Sequence, residues 1–209
     1  MIRRNIAVLA VLGATIALLI SVPFALMYFR AYGLGEGQTP PAYLVAFGDA
    51  FPNLIDFDLA TRAYQFYGRI YSLVVPLTLP ALLTLKNRTG TSTNLSKWGW
   101  RIFYTGVLMF GLGVIGDYWP EQSSFWIGLG FMLELIGMFV LGLGAILYGL
   151  AALRGGIVPR WVGDGLVGIA PVGVLGTLLL AHIPSGPLLG YVIFWLILGL
   201  RSLWEHREI

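Results

Sequence analysis

The chain has no cysteine, which removes disulfides, thiolate metal sites and cysteine nucleophiles together. Charge is almost as scarce: 11% of the 209 residues are Asp, Glu, Lys or Arg, against roughly 25% in soluble domains. Histidine occurs twice, as His182 and His206. They fall at opposite ends of the expected spans, so bis-histidine haem ligation is excluded. Neither lysine, Lys86 or Lys97, lies in an apolar run, which removes a retinal-type Schiff base. The chain also lacks H-E-x-x-H, G-x-S-x-G and Walker sequences.

What is present is apolar. Hydrophobic residues make up 57% of the chain and mean hydropathy is +0.81. Six runs approach or exceed the roughly 20 residues needed to cross a bilayer core about 30 Å thick. They lie near 6–29, 63–85, 100–115, 125–153, 162–181 and 188–203. The expected fold is therefore all-α: one polytopic transmembrane bundle over residues 1–209, with a longer outer loop at 30–62 between spans 1 and 2. Continuous runs, rather than alternating ones, argue against a β-barrel. Pro76 and Pro80 should kink the second span, and the third run reads as short. Arg3-Arg4 before a long first run, with no A-x-A-like cleavage site, is expected to mark a retained span rather than a signal peptide.

Six spans place ten basic residues on one side: Arg3, Arg4, Lys86, Arg88, Lys97, Arg101, Arg154, Arg160, Arg201 and Arg207. The other side has Arg30, Arg62 and Arg69 among Glu36, Asp49, Asp56, Asp58, Asp117 and Glu121. The positive-inside rule then puts both termini in the cytoplasm of a cell with this protein in its inner membrane. The net charge of +3 reflects that topology and gives no reason to expect nucleic acid as a partner. Two glycosylation-like triplets begin at Asn87 and Asn94, on the expected cytoplasmic side, and read as chance matches.

Glycines sit at short, regular spacings in the third, fourth and fifth runs. Small residues let helix backbones approach in lipid, so the expected partners are the bilayer and another membrane protein or a second copy packed through these faces. Tyr64, Phe66, Tyr67 and Tyr71 read as an interfacial aromatic belt.

The most informative residue is Glu134, alone in the long fourth run. A carboxylate at the centre of a spanning helix costs roughly 2.5–3.5 kcal/mol to insert, so it marks a functional site by default. Gly130, Glu134, Gly137 and Leu141 share one helix face, which turns Glu134 toward other helices. Arg69, Asp117 and His182 fall in the same outer half. Together the four form a candidate ligand- or ion-binding site, with an Arg69–Glu134 pair as its core or as a purely structural tie. No metal or cofactor is expected, since the acidic spacing matches no EF-hand loop. Ile115-Gly116-Asp117 lacks the first glycine of the Gly-x-Gly-Asp pattern of intramembrane aspartyl proteases, which counts against that chemistry.

The segment Arg154-Gly155-Gly156-Ile157-Val158-Pro159-Arg160-Trp161-Val162-Gly163 resembles the inner loop of uncharacterised prokaryotic six-helix integral membrane proteins. The resemblance implies a six-helix inner-membrane protein and carries no activity. Three functions stay open at this level. One is a non-catalytic accessory, sensor or assembly subunit. Another is a small permease or ion-coupled carrier using Glu134 and Arg69. The third is a membrane enzyme acting on lipid or quinone through Asp117 or His182.

Overall fold

A backbone removed from water must satisfy its own N–H and C=O groups, and continuous apolar runs do so as helices. The computed structural model describes residues 2–32, 40–52, 59–89, 93–120, 124–156 and 158–205. It contains α1 (Arg4–Tyr32), α2 (Ala42–Ala50), α3 (Ala60–Tyr71), α4 (Val74–Thr89), α5 (Asn94–Tyr118), α6 (Ser124–Gly155), α7 (Arg160–Leu180) and α8 (Ser185–Glu205). No strand occurs among the described residues. Six helical stretches are long and apolar enough to cross a membrane, with α3 and α4 forming one of them. Consecutive spans pack against each other and α8 closes onto α1, so the six form a ring. The two chain ends lie at one end of this ring; the opposite, distal end carries the α1 C-terminus, the start of α3, the α5–α6 connection and the α7–α8 turn.

The third span is not short. It runs for 25 residues, about 37 Å at 1.5 Å per residue, because the helix continues past the apolar stretch to Asn94. Thr93 starts it by accepting a hydrogen bond from the Ser96 nitrogen at 3.1 Å. Lys86 lies over the Trp100 ring and Arg101 over Trp98, at 5.6 and 5.2 Å, so charged heads settle on aromatic faces at the helix ends. The second span breaks at Ser72 and Leu73, one turn before Pro76, whose ring cannot donate to the Ser72 carbonyl. Pro76 falls in the first turn of α4, where its missing N–H has no helical partner to lose. The Leu73 nitrogen bonds the Ile70 carbonyl at 3.0 Å, tightening the last turn of α3.

The most extensive packing joins α5 and α6. Gly99, Gly106 and Gly113 recur every seven residues on one helix, and Gly130, Gly137 and Gly144 on the other. A seven-residue repeat keeps a single face toward a neighbouring helix. In one antiparallel register, a Cβ placed on Gly144 would lie 2.1 Å from the Phe103 nitrogen and one on Gly106 would lie 2.2 Å from the Leu141 nitrogen. At Gly113 it would meet the Glu134 nitrogen at 2.4 Å. The obstacles are backbone atoms, so no side-chain rotation relieves them. On α1, Ala7, Ala10, Ala14 and Ala17 are fully buried, and α8 approaches it at Gly199, where a Cβ would lie 2.6 Å from the Val11 side chain.

Large aromatics fill the interior of the ring. Tyr191 and Trp195 of α8 are fully buried, and the Tyr191 hydroxyl shares a 2.8 Å hydrogen bond with Thr78 of α4. Against the expectation of an interfacial belt, Tyr64, Tyr67 and Tyr71 are buried and only Phe66 is exposed. They lie on the face of α3 turned toward α1 and α5, which the apolar count along this mixed segment does not reveal. In the 30–62 loop, α2 packs on α1 with Leu44 and Gly48 buried. Glu36, Asp56, Asp58, Glu121, His206 and Arg207 lie outside the described residues.

Candidate functional site

The distal end is built around Phe24 of α1, a fully buried ring. Tyr64, Tyr118 and His182 surround it with ring centroids at 5.1, 5.3 and 4.7 Å. Glycine makes this possible: a Cβ on Gly68 of α3 would lie 2.1 Å from the Tyr118 ring. Ala181 ends α7 in a left-handed conformation, φ 47°, and the turn carries His182 inward. Its Nδ1 shares a 2.8 Å hydrogen bond with the Ser185 hydroxyl, and its Nε2 a 3.3 Å one with the Tyr64 hydroxyl. Tyr64 and Tyr118 hydroxyls are 2.9 Å apart. The result is a continuous polar layer, Ser185–His182–Tyr64–Tyr118, joining α3, α5 and the α7–α8 turn.

Above this layer lies an open cleft of about 510 Å³, within the range of small-molecule sites. Tyr28, Tyr32 and Tyr64 form one wall, with Asp117 at the end of α5. Ile127, Gly128 and Phe131 of α6 form another, and Ala181 and Ile183 of the α7–α8 turn complete the described lining. Below the layer is Glu134, with no exposed surface. Neither carboxyl oxygen has a hydrogen-bond partner among the described residues.

The four residues singled out from sequence thus occupy one end of the bundle but not one site. Asp117 lines the cleft, His182 is buried behind the lining residue Tyr64, and Glu134 is fully buried farther along α6. Arg69 does not hydrogen-bond Glu134. Its Nε donates to the Tyr118 carbonyl at 3.0 Å, and its guanidinium lies 5.8 Å from the Trp119 ring centroid. That is a cation closing a helix C-terminus, where carbonyls lack partners and the dipole is negative. No group of three or more metal-ligating side chains occurs among the described residues. Sequence reasoning missed Tyr28 and Tyr32 of α1 and Tyr118 of α5, which meet around Tyr64 of α3. Comparison with protein-family models, curated proteins and solved structures finds no match.

His182 gives the distal layer a pH signature. Burial lowers its pKa to about 3, because no water solvates an imidazolium there. The groups facing it are Tyr64, Ser185, Phe24 and Tyr28. An unfolded chain protonates this histidine near pH 6.5, while the folded one stays neutral to about pH 3. Stability contributed by neutral His182 is therefore complete above about pH 6.5 and declines as pH falls from there toward 3. Thermal unfolding in detergent between pH 7.5 and 4.5 should show that decline. His182→Gln keeps a donor and an acceptor but does not titrate, so its curve should be flatter. An equally steep curve would assign the acid sensitivity elsewhere.

Proposed function

We propose that the chain is a non-catalytic multi-pass protein of the inner membrane, with both termini cytoplasmic, that receives a small ligand in its distal cleft as an accessory or sensory subunit. Binding without passage is the reading that the geometry favours. The observation that carries it is the extent of the cleft: every described lining residue belongs to the distal end, and of the hydrogen-bonded His182–Tyr64–Tyr118 layer only Tyr64 reaches it, His182 and Tyr118 being buried. The α5–α6 backbone contact below that leaves no slack for one helix to slide past the other. The orientation follows from the basic residues gathered at the end with the termini. Acid–base catalysis by His182 is disfavoured, since both ring nitrogens are engaged and the ring is buried.

A second reading, an ion-coupled carrier, draws support from one feature, the unpartnered carboxyl group of Glu134. The two readings differ in access. Gly128 lines the cleft, and a Cβ there meets nothing within 4 Å. The native chain has no cysteine, so Gly128→Cys supplies one thiol in open space. In sealed vesicles of known orientation, a membrane-impermeant maleimide should label this introduced thiol from the distal side only. Labelling from both sides would replace the binding reading with alternating access.

A further inference from the structure

We propose that the distal cleft recognises an organic cation, an ammonium head on a small apolar body, held by Asp117 and the tyrosine wall; this rests on reading the cleft as a ligand site. Tyr28, Tyr32 and Tyr64 form a mutual cluster, with centroids 5.6, 5.7 and 5.4 Å apart. The planes of Tyr32 and Tyr64 stand at 86°, so the rings make a corner rather than a flat stack. Phenol faces carry negative electrostatic potential and attract a cation within about 6 Å of the centroid. Phe131 adds a further aromatic side chain from α6.

Charge in the cleft has one sign. Asp117 is acidic, and no described lining residue is Lys or Arg. Three cations belong to this end: Arg30, two residues from both Tyr28 and Tyr32, Arg62, two residues before Tyr64, and Arg69. None is among the described lining, and Arg69 is turned to the Tyr118 carbonyl and Trp119. An anion therefore finds no described positive partner in the lining. A bare metal ion is poorly served too, since Ca²⁺ takes six to eight oxygen ligands and the described lining offers a single carboxylate. A diffuse cation loses less hydration on entry and is stabilised by ring faces as well as by the carboxylate. That combination of apolar wall, aromatic corner and single acid selects an alkylammonium group over either alternative.

Gly128→Cys allows the charge preference to be read directly. The trimethylammonioethyl and sulfonatoethyl methanethiosulfonates transfer their thioethyl groups to the introduced thiolate, each forming a mixed disulfide and releasing methanesulfinate. After normalisation to a free thiol in solution, the cationic reagent should react roughly tenfold or more faster, the lower end of rate gains from a focused field. Asp117→Asn in the same background should bring the two rates together. Choline should slow modification by the cationic reagent, while its uncharged carbon isostere, dimethylbutanol, should not. Tyr32 is largely exposed, at 62%, so Tyr32→Leu leaves the fold intact and should remove the choline protection, with Tyr32→Phe retaining it. Equal normalised rates, or protection by the isostere and not by choline, would overturn the cation assignment and leave a ligand cleft of another class. Failure of both reagents to reach the introduced thiol, or of both choline and the isostere to protect it, would bring down the cleft reading and this proposal together.

Discussion

Gly144→Leu is expected to break the α5–α6 pairing. The side chain would be built into the Phe103 nitrogen and Cα, at 2.1 and 2.4 Å from its Cβ, and the Ile102 carbonyl carbon at 2.7 Å. Overpacking usually costs about 1–3 kcal/mol when neighbouring side chains shift. Here only backbone can move, so about 3 kcal/mol or more is expected. In lipid, helix association draws on packing of this kind because the hydrophobic drive between helices is absent. The contrast is Gly168→Ala, at a position where a Cβ meets nothing within 4 Å. It should leave stability unchanged or raise it by up to about 1 kcal/mol, the helix-propensity difference between the two residues. Thermal challenge followed by size-exclusion chromatography reads both. A Gly144→Leu variant as heat-resistant as the parent would mean that the glycine interface does not hold the bundle.

Glu134→Met should stabilise the protein. The native side chain is fully buried, and neither carboxyl oxygen has a described partner. An unsatisfied buried polar group costs roughly 1–3 kcal/mol, whereas an unbranched thioether fills the same space with apolar atoms and adapts to irregular gaps. In a chain of this size each kcal/mol corresponds to about 2–4 °C in Tm. A gain of several degrees identifies Glu134 as a residue the fold carries at a loss, as functional residues are. Glu134→Gln, still polar, should gain less. Destabilisation by methionine would show instead that the carboxyl group has a partner that supports the bundle.

The six spans were legible because the bilayer fixes a length, and a run such as the one around Glu134 has no other use. Their ends were not. The apolar stretch marks the hydrocarbon, while α5 continues through Lys97 to a cap at Thr93, where hydrogen bonding and not hydropathy sets the limit. The inward orientation of Glu134 could be read from Gly130 and Gly137 on its own face, since helical spacing is local information. The Arg69 partner could not: a basic residue expected to seek a carboxylate finds the Tyr118 carbonyl 49 positions away. The polar layer was equally hidden. Tyr64 meets Tyr118 and His182 across sequence separations of 54 and 118, and nothing in a tyrosine-rich helix distinguishes an interior corner from an interfacial belt. What sequence supplies is the acidic bias of the distal end; what the ring closure adds is the aromatic wall on which that bias acts.

Binding without passage requires a solvent-reached cleft that stops at a dry floor. Hydroxyl-radical footprinting of the protein in lipid nanodiscs, read by mass spectrometry at single residues, tests it without any substitution. Tyr28 and Tyr32, at the cleft wall, should be oxidised quickly, and Tyr71 and Tyr118, buried beneath, should stay protected. Oxidation of Tyr71 and Tyr118 at the rate of Tyr32 would show water running on past the His182–Tyr64–Tyr118 layer, and a passage where the account places a blind pocket.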